Sequence, residues 1–174
     1  MNNRIKGNSI NKIYDFDYKP YKKELTHVLN DLHFAENLNP LIFDRIVSRK
    51  IKGFSGIFSK QQLIKAYKGL KKEKYFDLKA DDSILEKIKM KPSRTSSGVT
   101  PVTVLTKPFP CPGQCIFCPS DTRMPKSYLI NEPGAQRAFR NDFDPYLQTY
   151  DRLRAFQNIG HNTDKIELII LGGT

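Results

Sequence analysis

The sequence has no long apolar segment, no repeats and an ordinary globular composition. None of its 174 residues fall in a stretch approaching the roughly 20 apolar residues that cross a bilayer, and its polar start lacks the apolar core of a signal peptide. We therefore expect a cytoplasmic protein without membrane association. With 39% hydrophobic and 27% charged residues, the composition excludes collagen-like, mucin-like and wholly disordered chains.

Acidic residues are scarce relative to basic ones. The chain has 29 Lys and Arg against 18 Asp and Glu, a net charge of +11. The excess is uneven, with 20 basic against 11 acidic residues before Ser93 and 9 against 7 from there onward. Such a balance points to a polyanionic partner, either nucleic acid or an acidic membrane surface.

The basic first half has apolar residues at helical spacing. Ser59 is a suitable N-cap for the third of three expected helices. The apolar stripes of these helices are Leu25, Val28, Leu29 and Leu32; Leu41, Ile42, Ile46 and Val47; and Leu63, Ile64, Tyr67 and Leu70.

Opposite the third stripe, Lys65, Lys68 and Lys72 are spaced to project from one helix face. Such a row could bind phosphates, although a charged face is often simply solvated. The candidate nucleic-acid contacts are Arg45, Arg49, Lys50, Lys52, Lys60, Lys65, Lys68, Lys71, Lys72 and Lys74.

The second half has the pattern of an α/β protein. Residues 99–106 are β-branched and predict a strand, and Asp144-Pro145 is an N-cap followed by Pro at the first helical position. That helix is expected to bury a stripe and to stop at Gly160. A near-continuous apolar run, Ile166–Leu171, is typical of a parallel strand buried on both faces. The expected buried stripe of the helix is Tyr146, Leu147, Tyr150, Leu153 and Phe156.

The chain has only three cysteines, Cys111, Cys115 and Cys118, and all lie in one loop after the first strand. Their number and crowding exclude a disulfide framework and favour a metal centre. Zinc normally takes four protein ligands, whereas three thiolates suit a cubane iron–sulfur cluster with one open iron. Zinc and incidental cysteines remain alternatives. The three histidines, His27, His33 and His161, are expected at surface or helix-capping positions rather than as a fourth ligand.

The C-x3-C-x2-C motif, with Phe117 before the last cysteine, resembles radical S-adenosylmethionine (SAM) enzymes. The resemblance implies that the open iron chelates SAM and that Phe117 packs near its adenine. It also implies that Gly172, Gly173 and Thr174, after the second strand, contact SAM. The implied fold is a basic N-terminal helical region followed by the first strands of a partial (βα)6 barrel, incomplete in this chain.

Further motifs narrow the resemblance to the catalytic subunit of Elongator and its single-chain bacterial and archaeal relatives. They are Arg94–Gly98, Pro125–Tyr128, Glu132-Pro133, Arg137–Arg140, Asp144–Gln148 and Gly160–Thr174. The family implies that a carboxymethyl group, derived from acetyl-CoA by SAM radical chemistry, is added to C5 of the tRNA wobble uridine.

On this basis we expect residues 1–93 to be a tRNA-binding region and residues 94–174 to begin the radical SAM domain of a longer protein. The acetyl-CoA site and the acetyltransferase domain would lie outside this chain. The partner would be tRNA, with a homodimer as a further arrangement. The alternatives are another radical SAM RNA-modifying enzyme, such as a methylthiotransferase, and a zinc-clipped nucleic-acid-binding module.

Overall fold

The computed structural model describes residues 16–48, 56–119 and 121–172. The chain divides into two compact units. The helical unit ends at Pro92 and also takes in Asn158–Gly160, and the sheet unit comprises Ser93–Gln157 and the residues from His161 onward. Each unit has its own buried core.

Within residues 16–48 and 56–92, the helical unit contains a short 3-10 helix, Lys19–Tyr21, and four α-helices. These are α1 (Lys22–Phe34), α2 (Pro40–Val47), α3 (Lys60–Lys72) and α4 (Ser83–Ile88). The predicted stripes of α1 and α3 are confirmed, because all eight of their residues are buried in one core. Burial of these apolar side chains is the main stabilising contribution to the unit.

The predicted N-cap of α3 is also confirmed. The Ser59 hydroxyl accepts a hydrogen bond from the backbone N–H of Gln62, and the Gln62 side chain accepts one from the Ser59 N–H. This reciprocal capping box pairs two backbone donors that a helix start otherwise leaves unsatisfied.

The stripe predicted for α2 is wrong at Leu41, which is 77% exposed, whereas Ile46 and Val47 are buried. Leu41 precedes Ile46 by five residues, which at about 100° per residue places it about 140° around the helix from the buried side. An eight-residue helix that buries Ile46 therefore turns Leu41 to solvent.

The sheet unit is built on two parallel strands, β1 (Thr100–Leu105) and β2 (Ile166–Leu171). Their register runs from Thr100 opposite Ile166 to Leu105 opposite Leu171. The segment between the strands carries α5 (Pro133–Arg140) and α6 (Pro145–Asn158), and a short 3-10 helix, Pro92–Thr95, precedes β1. The mixed α/β class, both predicted strands and their parallel pairing are confirmed.

The expectation that β2 is buried on both faces is wrong for the part of the chain that the structure describes. Ile166, Leu168 and Ile170 are 43%, 54% and 69% exposed. Their alternate spacing puts them on one face of the sheet. Within the described ranges the sheet has only two strands, so β2 has one strand neighbour and this face lies open.

The start of α6 follows the sequence prediction, but its buried face does so only in part. The Asp144 carboxylate accepts a hydrogen bond from the Leu147 N–H at 2.9 Å, as an N-cap should. Phe156 of the expected stripe is buried, Leu147 and Leu153 are half-buried, and Tyr146 and Tyr150 are exposed. Gln148, which is not in the expected stripe, is buried as well. The helix stops at Asn158, just before Gly160 with its positive φ of 89°.

Among the described residues, no helix combines the length and apolarity that a membrane span requires.

Candidate metal centre and nucleic-acid surface

The cysteine loop and the glycine motif leave the sheet at the same end. Leu105 and Leu171 are register partners at the ends of parallel strands, and the Thr106 N–H donates to the Leu171 carbonyl at 2.9 Å. The loop with the cysteines follows β1, and Gly172 follows β2. In parallel sheets, ligand sites gather at the carboxyl ends of strands.

Gly172 occupies a position that a side chain would not fit. A Cβ built there would lie 2.1 Å from the Thr106 hydroxyl oxygen and 3.0 Å from the Thr106 Cβ. A glycine at position 172 therefore avoids overlap with the Thr106 side chain on the neighbouring strand end. The other residues of the predicted SAM contact, Gly173 and Thr174, lie outside the described residues.

The three cysteines are free thiols in an exposed loop. A Cβ added to Gly113 would lie 3.4 Å from the Cys111 sulfur and 3.8 Å from the Cys115 sulfur, so these two sulfurs flank the glycine. The Gly113 N–H donates to the Cys111 sulfur at 3.4 Å, and the Cys118 N–H donates to the Cys115 carbonyl at 3.1 Å. The backbone from Cys115 to Cys118 thus forms a hydrogen-bonded turn.

The donor set fits a thiolate-bound cluster in its chemistry. Soft thiolates are the ligands that iron–sulfur clusters take. The Cys111 and Cys115 sulfurs both lie beside Gly113, within ordinary contact distance of a Cβ placed there. Within residues 16–48, 56–119 and 121–172, however, no three Cys, His, Asp or Glu side chains are gathered as a metal site.

The rest of the loop has an exposed aromatic residue near the last cysteine and an ion pair after it. Phe117, the residue predicted to lie near the adenine of SAM, is 92% exposed. Beyond the cysteines, Arg123 donates to both carboxylate oxygens of Asp121, at 2.9 and 2.8 Å. These hydrogen bonds lower the pKa of Asp121 to about 2.

The expected surface position is wrong for His161, but the expected capping role is confirmed, because its backbone N–H donates to the Phe156 carbonyl at 3.0 Å beyond the end of α6. This residue is buried, its Nδ1 lies 2.7 Å from the Thr95 hydroxyl, and its ring meets the edge of Phe156 at 5.2 Å. The contacts make His161 a packed core residue of the sheet unit. His27 is exposed, and His33 is half-buried beside Asp81.

Gln148 has a structural role that the sequence did not predict, since it was considered only as part of the Asp144–Gln148 motif. Its buried amide accepts from the Leu105 N–H and donates to the Leu105 carbonyl, both at 3.0 Å. The side chain thereby satisfies both backbone groups of the last β1 residue on the edge away from β2. A polar residue on the inward side of an otherwise amphipathic helix is the sequence signal for such a partner.

The predicted basic surface lies on the helical unit. Lys65, Lys68 and Lys72 are all exposed on α3, as their spacing predicted. Lys71 forms an ion pair with Asp82, with N–O distances of 2.6 and 2.5 Å, so part of its charge is compensated.

The other predicted contacts are distributed around α2 and α3. Arg45 and Lys74 are exposed, and the Lys60 ammonium lies 4.8 Å from the centre of the Phe43 ring. Arg49, Lys50 and Lys52 lie outside the described residues. The assignment of this surface to tRNA stays a prediction.

Comparison with known proteins finds no matching family model, but it finds clear relatives. The chain is 55% identical over 82 residues to a tRNA uridine(34) acetyltransferase of Dehalococcoides mccartyi, covering 47% of this chain and 18% of that protein. It is 50% identical over 93 residues to a tRNA uridine(34) acetyltransferase of Methanocaldococcus infernus, covering 50% and 17%. It is 41% identical over 102 residues to Elongator complex protein 3 of Bos taurus, covering 52% and 19%.

The matched region spans less than one fifth of the length of these relatives. Identities of 40–55% over about half of this chain establish homology rather than a shared motif alone. About half of the chain is therefore homologous to the Elongator family, which its sequence motifs predicted.

Proposed function

We propose that this chain is the tRNA-binding and cluster-binding part of a radical SAM enzyme that modifies the wobble uridine of tRNA. The reaction proposed is addition of a carboxymethyl group to C5 of uridine with acetyl-CoA as co-substrate. Relatives named tRNA uridine(34) acetyltransferase support the substrate and the acyl-group chemistry. The acetyl-CoA site would lie outside these 174 residues.

The proposal rests on one observation: the segments that follow the two parallel strands leave the sheet at the same end. The cysteine loop follows β1, and Gly172, which fits only without a side chain, follows β2. A cofactor held by the loop would therefore have bare backbone beside it rather than a side chain. This is the arrangement by which α/β sheets bind small ligands.

In this proposal Cys111, Cys115 and Cys118 hold a 4Fe-4S cluster. When bound, the cluster supplies the electron and the open coordination site for reductive cleavage of SAM. Phe117 provides an exposed ring for the adenine, and the backbone from Gly172 to Thr174 provides hydrogen-bonding groups for SAM. The protein's part is to orient these molecules and to exclude water.

The proposed barrel is supported by the open apolar face of β2. Ile166, Leu168 and Ile170 form a row that further strands and side chains would cover in a (βα)6 arrangement. Contiguous exposed apolar surface is uncommon unless something packs on it. The proposed location is the cytoplasm, where free thiols persist.

Anaerobic reconstitution with iron and sulfide tests the cluster. We expect about four irons per chain and a brown protein, as for a single cubane cluster. Alanine at any of the three cysteines should prevent this, whereas Ile116→Ala, at an exposed position of the same loop, should not. Stoichiometric zinc with negligible iron would instead indicate a zinc-clipped binding module.

The reaction is tested on the complete enzyme that carries this segment. Wobble uridine should gain a carboxymethyl group only when SAM, acetyl-CoA and a reductant are all present, as mass spectrometry of digested tRNA would detect. A methylthio product would refute the proposed reaction while leaving the cluster in place.

A further inference from the structure

Three arginines of the sheet unit lie near enough for their charges to act on one another. Arg94 belongs to the 3-10 helix before β1, Arg137 to α5 and Arg152 to α6. The Arg152 guanidinium carbon lies 4.2 Å from the centre of the Phe156 ring. Burial, followed by the nearby charges of Arg137 and Arg94, lowers the pKa of Arg152 to about 10. The pKa of Arg137 is lowered by burial and by Arg94.

No carboxylate balances this arginine trio within the described part of the chain. The ion pairs found there join Lys22, His33, Lys71, Lys89 and Arg123 to acids, and none includes Arg94, Arg137 or Arg152. The Nε of Arg152 is buried and has no hydrogen-bond partner. Buried polar groups are nearly always paired, so the orphaned N–H of Arg152 is a donor that is left for an acceptor from outside the described residues.

The position of the trio is defined by α6. Arg152 follows Gln148 by four residues, which places it on the same side of the helix and about 6 Å further along its axis. Since Gln148 pairs with Leu105, this side of α6 follows the edge of β1 that faces away from β2. Arg152 is thus on a helix that packs along β1, whereas Arg94 is exposed on the 3-10 helix before β1.

We propose that Arg94, Arg137 and Arg152 form a binding site for a phosphate group. Guanidinium groups present paired donors that match phosphate oxygens, and several of them around one anion give a strong charge-assisted site. The group could be a phosphodiester of RNA or the phosphate of a small molecule. The site involves none of the proposed cluster ligands, so it is tested independently of the proposed function.

The test is thermal unfolding of the chain in inorganic phosphate at constant ionic strength, with chloride as the balancing anion. We expect the midpoint of the parent to rise saturably with phosphate. Arg152→Met keeps an unbranched side chain against Phe156 but removes the charge, and it should weaken the phosphate effect by about tenfold or more, as loss of a charged hydrogen bond predicts.

The matched control is Arg140→Gln, at an exposed position of α5, which should respond to phosphate like the parent. Without phosphate, Arg152→Met should be at least as stable as the parent, because it removes an uncompensated buried charge. A purely structural Arg152 would instead make this variant less stable. That result, or equal phosphate responses in Arg152→Met and the parent, overturns the proposal.

Two further titrations distinguish the source of the phosphate. A short single-stranded oligouridine and a nucleoside diphosphate are each added to the parent, to Arg152→Met and to Arg140→Gln. Selective loss of oligouridine binding in Arg152→Met assigns the site to an RNA phosphodiester, and selective loss of nucleotide binding assigns it to a small molecule. If Arg152→Met binds both probes as Arg140→Gln does, the site does not exist.

Discussion

Replacing Gln148 should destabilise the end of β1, where the cysteine loop begins. The amide of Gln148 is buried and satisfies both backbone groups of Leu105, which is itself buried. Gln148→Leu retains a side chain of similar size but removes both hydrogen bonds. The Leu105 N–H and carbonyl are then left unpaired on the side away from β2.

The expected cost follows from the number of orphaned groups. Each buried backbone group left without a partner costs about 1 to 3 kcal/mol, so Gln148→Leu should lose about 2 to 6 kcal/mol of unfolding free energy. Water reaching the edge would place the result at the lower end. Gln157→Leu, an exposed position on the same helix, should change stability by less than about 1 kcal/mol.

Gln148→Glu gives the same argument a pH dependence. The new carboxylate can accept from the Leu105 N–H, but it is repelled by the Leu105 carbonyl. Burial and this repulsion raise the folded-state pKa of the carboxyl group introduced at position 148. A raised pKa stabilises the fold below the unfolded value, about 4.3 for Glu, and this contribution is lost as pH rises through the folded value. The deficit of Gln148→Glu relative to the parent should therefore shrink in acid.

Hydrogen exchange of the Leu105 amide, together with denaturant unfolding, measures these effects. Exchange at Leu105 should accelerate in Gln148→Leu and remain slow in Gln157→Leu, because only the first substitution removes its acceptor. If Leu105 stays protected in Gln148→Leu, or if both leucine variants lose equal stability, the Gln148 amide does not hold this strand edge.

Two other sets of substitutions test the contact between Gly172 and Thr106 and the lysine-bearing face of α3. Gly172→Ala should destabilise the sheet unit by about 1 to 3 kcal/mol in denaturant unfolding, since its Cβ would overlap Thr106, and Thr106→Gly should restore part of the loss. Equal stability of Gly172→Ala and the parent would contradict the close approach. Alanine at Lys65, Lys68 and Lys72 should reduce the salt slope of tRNA binding by about 0.7 to 0.9 for each phosphate that is no longer neutralised by a lysine. An unchanged slope in the triple variant would mean that the face is only solvated.

The sequence predicted those elements whose burial is decided by apolar side chains. The stripes of α1 and α3 lie in the core because one helix side carries nearly all of their large apolar residues. Parallel pairing of β1 and β2 could be predicted because a helix-bearing connection separates two short β-branched or apolar runs. Ser59 and Asp144 cap helices by local hydrogen bonds that depend on few other residues.

Burial that depends on distant partners could not be predicted. Nothing in Ile166–Leu171 indicates that one face stays uncovered, because burial there depends on strands beyond the two described. Convergence of the three cysteines is likewise not encoded by their spacing alone. The motif identifies the ligands, but the described loop gathers only two sulfurs around Gly113.

The exposure of Tyr146 and Tyr150, which were predicted to be buried on α6, has a specific physical cause. An apolar stripe is the right expectation when a helix packs on apolar side chains, but α6 lies along a strand edge that presents backbone N–H and carbonyl groups. A strand edge requires polar partners, so Gln148 turns inward and the larger Tyr146 and Tyr150 turn out. The same side of the helix carries Arg152 one turn later and then Phe156, whose ring lies against its guanidinium. Gln148 and Arg152, which the apolar periodicity left out of the predicted stripe, therefore share the side of α6 with the buried Phe156, where one completes β1 and the other supplies the orphaned cation of the arginine trio.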